Sequence, residues 1–305
     1  MVGPLSYASR PPTITELLHR GDRPLFSFEL FPPKDDDGAK VLWDTVRRLE
    51  ALGPDFVSVT YGASGSTRDR TIDVTRGIAE HTTLRTMAHL TCASQSRDRL
   101  RRVVGAYADA GIRHVLTIRG DMPGGPTQPW VRHPEGLANA TELVELVYGL
   151  GQFCIGVAAF PDLHPEQHDA DLDARVLVAK EQAGAGFAIS QLFFTAERYF
   201  ELVDRVRALG SDLPIVPGIM PVTRLSQIQR FAELSGADLP GWVVARLEAA
   251  GEDSAAVRRV GVELAIELSS RLLEGGAPGL HFITMNRSTA TLEILREVEP
   301  LARLR

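Results

Sequence analysis

Cysteine is scarce in this chain, which has 305 residues and only two cysteines, Cys92 and Cys154. Both lie in apolar segments, and no CxxC pair or Cys/His cluster accompanies them. We therefore expect reduced, buried thiols, and neither a disulfide nor a metal site. No apolar run approaches the roughly 20 residues that span a bilayer. Residues 1–18 lack the basic start and apolar core of a secretory signal, so we expect a cytoplasmic protein.

An excess of positive charge is also missing. The chain has 33 basic and 39 acidic residues, for a net charge of −6. This balance argues against an extended nucleic-acid surface, and we expect neither a nucleic-acid nor a membrane partner. An anionic small molecule stays compatible with the composition, because a few local arginines suffice to bind one. The oligomeric state is left open, and a homo-oligomer is compatible with the sequence.

The common phosphate-binding motifs are absent as well. No GxGxxG follows an apolar run, and no GxxxxGK[ST] occurs. Residues 184–186 read Gly-Ala-Gly, but they precede a predicted strand and are therefore interpreted as a helix exit. HExxH and GxSxG are also missing. Any nucleotide must be held by loops, without a Rossmann unit.

Short apolar runs alternate with amphipathic segments along the whole chain. The predicted strands are near-continuous hydrophobic runs, as expected of parallel strands buried on both faces: 25–31, 55–61, 84–90, 114–120, 154–160, 187–194, 214–219 and 280–285. Helical patterns lie at 41–52, 137–150 and 172–183, and two more helices, near 224–236 and 254–274, fill the longest interval. Eight strands separated by helices predict an α/β fold, a single-domain (β/α)8 TIM barrel spanning residues 1–305.

Polar side chains interrupt the apolar runs near strand ends, where (β/α)8 barrels place their reactive groups. These residues are Glu29, Thr60, His89, Asp121, Gln191 and Arg287. Each has a simple structural explanation by itself. Glu29 would cap the next helix, Asp121 would pair with Arg119, His89 would be a hydrogen-bonded core histidine, and Gln191 would bond backbone groups. Convergence of six strand ends on one barrel mouth favours a site instead.

Glu29 has the most informative surroundings in the sequence. Phe26, Phe28 and Phe31 are its neighbours, and an apolar environment raises the pKa of a carboxyl group. A carboxylic acid that stays protonated near neutral pH can donate a proton. No second carboxylate lies beside it, so paired-acid glycosidase chemistry is not indicated. We therefore expect Glu29 to act as a general acid.

Eight segments resemble the methylenetetrahydrofolate reductase family, in the family's order along nearly the whole chain. They are FSFELFPPK (26–34), DFVSVTYGA (55–63), AHLTC (88–92), TIRGD (117–121), HPE (164–166), QLFF (191–194), PGIMPV (217–222) and GLHFITMNR (279–287). The resemblance implies a catalytic TIM barrel that reduces 5,10-methylenetetrahydrofolate to 5-methyltetrahydrofolate. It also implies a hydride that passes from NADH or NADPH through FAD.

The resemblance assigns roles to individual residues. Glu29 matches the acid that protonates the bridging nitrogen of the folate, and Asp121 matches the carboxylate that stabilises the resulting cation. Three residues match positions that contact the folate: Gln191, Phe231 and Arg287. Seven fall at flavin-binding positions: Thr60, His89, Arg119, Gly120, His164, Asp173 and Lys180.

Four residues depart from the family pattern, all on the flavin side. Asn139, Phe160 and Ile283 stand where the family has tyrosine, and Val176 stands where asparagine or histidine is common. The folate side is unchanged. We hypothesise that FAD binds weakly or not at all and that reduced nicotinamide delivers hydride directly. The alternative is that FAD is retained through Arg119, His89, Asp173 and backbone groups.

Other functions remain open at this point. A proline-dehydrogenase-like flavoenzyme would share the barrel but would not need a protonated Glu29. A folate-binding module without redox function would bind folate and would not oxidise NADH. An inactive barrel kept for assembly is a third reading, and the unchanged folate side argues against it.

Overall fold

Eight parallel strands close into one barrel in chain order, with β1 paired to both β2 and β8. The strands are Leu25–Leu30 (β1), Phe56–Val59 (β2), Thr86–Thr91 (β3), His114–Ile118 (β4), Cys154–Ala159 (β5), Phe187–Leu192 (β6), Ile215–Ile219 (β7) and Gly279–Ile283 (β8). Every predicted strand overlaps one of them, so the predicted (β/α)8 fold is confirmed.

Helices follow the strands around the outside of the barrel. They are Ile14–Arg20 (α1), Asp36–Glu50 (α2), Gly65–His81 (α3), Arg97–Asp109 (α4), Ala140–Leu150 (α5), Ala170–Gln182 (α6), Ala196–Ala208 (α7), Leu225–Ser235 (α8), Gly241–Ala249 (α9), Ser254–Glu274 (α10) and Ser288–Ala302 (α11). The long interval between β7 and β8, where at least two helices are predicted, holds α8, α9 and α10.

The computed structural model describes residues 10–61 and 65–302. Residues 1–9, where we expect no secretory signal, lie outside the described residues, as do Gly62 and Ala63 of the DFVSVTYGA segment. Within the described part of the chain, no helix has the length and apolar character needed to cross a bilayer. Cys92 and Cys154 are buried and free, as predicted.

The inside of the barrel changes character from one end to the other. At the amino-terminal end of the strands, α1 places Ile14 and Leu18 against inward-facing side chains that include Phe56 and Phe187. This apolar cluster fills the lower half of the barrel. Polar side chains occupy the interior above it, and they begin with Ser27, Ser58 and His281. The core therefore supports a polar floor that opens toward the carboxyl ends of the strands.

An irregularity in β6 shapes the rim of this opening. The register between β6 and β7 shifts between Ile189 and Leu192. The hydroxyl of Ser190 then accepts a hydrogen bond of 2.9 Å from the backbone N–H of Gly218. A side chain at Gly218 would collide with the carbonyl oxygen of Ser190. The bulge, which re-aims Gln191, therefore requires glycine on the facing strand.

Replacing Gly218 with alanine tests this close approach. We expect Gly218→Ala to lower the free energy of unfolding by about 1–3 kcal/mol, the usual cost of overpacking. Gly105→Ala, in the exposed face of α4 where an added Cβ has open space, is the matched control and should raise stability by about 0.4–1 kcal/mol. Urea unfolding measures both. An unchanged or more stable Gly218→Ala protein would contradict the close approach.

Candidate active site

Glu29 lies near the end of β1 with its side chain inside the barrel. Its Oε2 atom lies 3.6 Å from Nε2 of His281 and 3.7 Å from Nε2 of His89. The Glu29 side chain is 15% exposed, and its backbone carbonyl accepts a 2.7 Å hydrogen bond from the Thr284 hydroxyl. The cap of α2 is Asp35, which accepts from the N–H of Gly38. Glu29 therefore does not cap that helix, and its carboxyl group faces two imidazoles.

The expected apolar surroundings of Glu29 are wrong. Phe26 and Phe28 pack in the layer between strands and helices, because neighbouring residues of a strand point to opposite faces. Burial raises the pKa of the Glu29 carboxyl, but the imidazoles of His281 and His89 lower it by more, so that the pKa lies below its ordinary value. In the absence of substrate, Glu29 is a carboxylate near neutral pH.

His89 lies beside Glu29 on β3 and is not a satisfied core histidine. Burial lowers its pKa to about 4, against the attraction of Glu29, so its ring is neutral near pH 7. Its Nε2 atom is buried without a hydrogen-bond partner. The resemblance assigns this residue to the flavin, and the structure places it in the barrel interior beside Glu29. An unpaired, neutral ring nitrogen at this place is available to a substrate or to a shared proton.

His281 was missed by the sequence analysis. Its Nδ1 lies 2.7 Å from the hydroxyl of Ser27, and its Nε2 lies 3.2 Å from the hydroxyl of Ser58. The ring stacks on Phe56, with centroids 5.6 Å apart. These contacts fix the imidazole against Glu29. Polar residues alternate with apolar ones along β1 and β8, and this pattern was the available sign that His281 faces inward. In the barrel, Ser27 pairs with His281.

A cavity of about 450 Å³ opens over the carboxyl ends of β4, β5 and β6. Its lining brings together seven of the predicted site residues: Arg119, Gly120, Asp121, His164, Asp173, Lys180 and Gln191. Three of the four departures line it as well, namely Asn139, Phe160 and Val176. The predicted cofactor positions therefore form one cavity, with the exception of His89 and Thr60.

The other predicted residues lie elsewhere at the same end of the barrel. Thr60 follows β2, where its carbonyl accepts from the Thr71 hydroxyl. Phe231 on α8 and Ile283 on β8 pack against one apolar cluster under the α8–α9 segment. Arg287 follows β8 and is exposed. Phe231, Arg287 and Glu29 are not among the residues that line the cavity.

The polar groups of the cavity are largely engaged with one another. Arg119 donates to Glu166 at 2.6 Å through both terminal nitrogens, so the simple pairing of Arg119 with Asp121 is wrong. Lys180 donates to the carbonyl of Ala158 at 3.1 Å, and burial lowers its pKa to about 8. Asp173 accepts from the N–H of His164 at 2.8 Å, and burial raises its pKa.

Asp121 and Gln191 complete the polar lining of the cavity. Asp121 is exposed at the rim, yet desolvation by the cavity wall raises its pKa more than Arg119 lowers it. The Oε1 atom of Gln191 accepts from the N–H of Leu192 at 2.9 Å, as the simple reading expected. Its amide NH2 is left to donate to a ligand.

The departures are explained by their local roles. The Asn139 side chain caps α5 by accepting from the N–H of Glu142 at 3.0 Å. Phe160 packs edge-on against the ring of His164, with centroids 4.8 Å apart. Val176 contributes an apolar surface to the cavity wall. Phe160 and Val176 offer no hydrogen-bonding group to a ligand, and the Asn139 oxygen is used by the cap.

The family model described as Methylenetetrahydrofolate reductase matches residues 14–299. The chain is 39% identical over 268 residues to 5,10-methylenetetrahydrofolate reductase of Salmonella typhimurium, with 88% of each protein covered. It is 34% identical over 282 residues to methylenetetrahydrofolate reductase (NADH) 1 of Arabidopsis thaliana, covering 88% of this chain and 47% of the relative.

Solved structures share the architecture. A protein from Clostridium thermocellum, described as binding two copies of 5-methyl-5,6,7,8-tetrahydrofolic acid, superimposes with a TM-score of 0.68. The superposition covers 96% of this chain and 100% of that chain at 13% identity. At such low identity the likeness shows the shared fold alone.

A buried carboxyl group attaches the α8–α9 segment to the barrel rim. The Asp162 side chain follows β5, is 5% exposed and lies 3.8 Å from Arg198. It accepts the backbone N–H of Asp238, in the loop after α8, at 3.2 Å. Burial raises the pKa of Asp162 to about 6, and the nearby Asp238 adds to that rise. The ionised form of Asp162 is therefore disfavoured in the folded protein.

Asp162 predicts a stability change with pH. The folded pKa is about 6, whereas an unfolded aspartate titrates near 3.9. The folded state thus binds this proton more tightly, and the free energy of unfolding should fall as pH rises from about 4 to about 6. Asp162→Asn should remove about 1 kcal/mol of that fall. Asp212→Asn, at a carboxyl that is 99% exposed, should leave it unchanged. Parallel pH profiles for wild type and Asp162→Asn would refute this assignment.

Proposed function

The chain belongs to the methylenetetrahydrofolate reductase family and is an oxidoreductase that reduces 5,10-methylenetetrahydrofolate to 5-methyltetrahydrofolate; we propose that Glu29 is its general acid and that a reduced nicotinamide dinucleotide is its hydride donor. The observation that supports this most is the Glu29 carboxyl group between two imidazoles at the open end of the barrel. The family match over residues 14–299 does not support the proline-dehydrogenase-like alternative.

The chemistry needs one proton and one hydride. Protonation of the bridging nitrogen lets the five-membered ring open to an electrophilic iminium, and hydride then adds to the methylene carbon. We assign the proton to Glu29. Because its carboxyl group is ionised in the free protein, it must gain the proton when the substrate enters and removes water, which raises a carboxyl pKa. The Nε2 atom of His281 lies 3.6 Å from the Glu29 carboxylate, and its Nδ1 atom contacts the Ser27 hydroxyl. The imidazole is therefore placed to pass that proton to Glu29.

The cavity residues orient and stabilise the reacting ring in this proposal. The Gln191 amide has its oxygen fixed by Leu192, so its NH2 group can donate to acceptors of a pterin. The carboxylate of Asp121 lies on the same wall, where its negative charge would stabilise the iminium cation. Phe231 and Arg287 would contact the outer part of the folate from α8 and from the loop after β8.

A tightly held FAD does not fit the donor set of the cavity. Its two basic side chains, Arg119 and Lys180, donate to Glu166 and to the carbonyl of Ala158. The Asn139 oxygen is used as a helix cap, and Phe160 and Val176 offer no hydrogen bond. We therefore propose that the dinucleotide passes its hydride directly to the folate. The relative named for NADH makes NADH the first donor to test.

Replacing Glu29 with glutamine tests the acid. Glutamine keeps the size of the side chain and cannot donate an acidic proton, so kcat should fall by roughly 10²–10⁴. The dissociation constant for 5-methyltetrahydrofolate, measured by calorimetry, should change by less than about threefold. Glu80→Gln, at an exposed position of α3, is the control. Near-normal turnover by Glu29→Gln would exclude Glu29 as the acid.

Direct hydride transfer predicts a flavin-independent enzyme. The purified protein should lack flavin absorption and should oxidise NADH with 5,10-methylenetetrahydrofolate without added FAD. Since both substrates must be bound together, initial-rate plots should intersect, whereas transfer through an enzyme-bound carrier gives the parallel lines of ping-pong kinetics. Stoichiometric flavin that survives gel filtration, or parallel lines, would rule out the direct route.

A further inference from the structure

Arg119 is held in a geometry that suits an anion. Its guanidinium group lies over the ring of Trp130, 4.8 Å from the centroid. Both terminal nitrogens donate to the two carboxylate oxygens of Glu166 at 2.6 Å. The same planar fork binds phosphate as well as carboxylate. The third donor, Nε, is buried without a hydrogen-bond partner, so the pair with Glu166 leaves one donor of Arg119 unused.

The loop that contains Glu166 fixes the position of this residue. The backbone N–H of Glu166 donates to Nδ1 of His164 at 3.3 Å, and the N–H of His164 is held by Asp173 at 2.8 Å. Leu163 and His168, which flank the turn, both have positive φ angles of 78° and 48°, conformations that such residues adopt only when the surrounding structure requires them. These constraints direct the Glu166 carboxylate onto Arg119. The contact is therefore more specific than a surface ion pair.

The Glu166 carboxylate makes acidic side chains outnumber basic ones in the cavity. Among the described residues that line the cavity, two are basic, Arg119 and Lys180. Three are carboxylates: Asp121, Glu166 and Asp173. A ligand with a pyrophosphate group would enter a site in which negative charge predominates and the guanidinium is already occupied. Removal of the Glu166 charge alone would balance the two signs.

We propose that Glu166 is an internal anion that occupies the phosphate-binding face of Arg119 and thereby limits the affinity of the cavity for nucleotides with a pyrophosphate group. The inference rests on the proposed entry of a nicotinamide dinucleotide into this cavity. The pyrophosphate must displace Glu166 from Arg119 to bind, and this cost applies to NADH and FAD alike. Glu166 is thus a specificity-determining residue that disfavours long-lived nucleotide complexes.

Adenosine diphosphate is the probe that isolates this effect, because it has the pyrophosphate and no hydride chemistry. Calorimetric titration should show that Glu166→Gln binds it at least about tenfold more tightly than wild type, the low end for a charge-assisted hydrogen bond. The gain should disappear when Arg119 is also replaced by glutamine, since the effect acts through that side chain. The KM for NADH should fall with the same substitution.

Glu267→Gln is the matched control. Glu267 accepts two hydrogen bonds from Arg246, of 2.7 and 2.9 Å, and it is not among the cavity residues, so its substitution should leave adenosine diphosphate affinity unchanged. Thermal unfolding verifies that each variant is folded, and Glu166→Ala is a second variant if the glutamine protein is not.

Three results would overturn the proposal. They are an unchanged or weaker affinity in both Glu166 variants, an equal gain in the Arg119→Gln background, and no binding of adenosine diphosphate to any of the proteins. The equal gain would indicate a general charge effect in place of competition for Arg119. Tighter binding without any NADH oxidation by wild type would instead contradict the proposed function and leave the role of Glu166 standing.

Discussion

The pairing of β1 with β8 is the constraint on which the site depends. This ladder closes the barrel and places Ser27 opposite His281 and Glu29 opposite Ile283. Because inward-facing positions recur every second residue, the ladder aligns Ser27, His281 and Glu29 inside the barrel and turns Phe26 and Phe28 toward the helices. The apolar cluster that packs on α1 fills the barrel at the amino-terminal ends of the strands. The polar groups therefore lie toward the carboxyl ends. Closure therefore sets both the position of the acid and its electrostatic surroundings.

The same alternation explains how far sequence reasoning could go. Apolar runs and helical periodicity were sufficient to predict eight strands and the barrel, because those patterns depend on burial averaged over many residues. Glu29 could be selected as a candidate from the sequence, but its pKa was predicted in the wrong direction, since neighbours in sequence were treated as neighbours in space. His281 lies 252 positions later in the chain and enters the argument only through the closing ladder. Pairing between distant strands is not readable from local composition.

A second limit concerns charged pairs formed by loops. The sequence places Asp121 two residues from Arg119, and a local pair was the natural expectation. In the structure, Arg119 forms an ion pair with Glu166, which lies in the loop after β5. That loop is fixed by Asp173 on α6 and by packing of Pro165 against Gly236, where an added Cβ would lie 2.9 Å from Pro165. Three separate segments thus determine one ion pair, and no single segment predicts it.

The two halves of the site use charge in opposite ways. In the barrel interior, imidazoles lower the pKa of Glu29, which keeps its carboxyl group ionised in the free protein. In the cavity, carboxylates predominate, which favours a cation and disfavours a polyanion. In the proposed reaction, the iminium formed on ring opening is a cation, whereas the proposed hydride donor is an anion. The cavity is therefore better matched to the charge that develops during reaction than to the bound donor, and such a difference lowers a barrier without tightening ground-state binding.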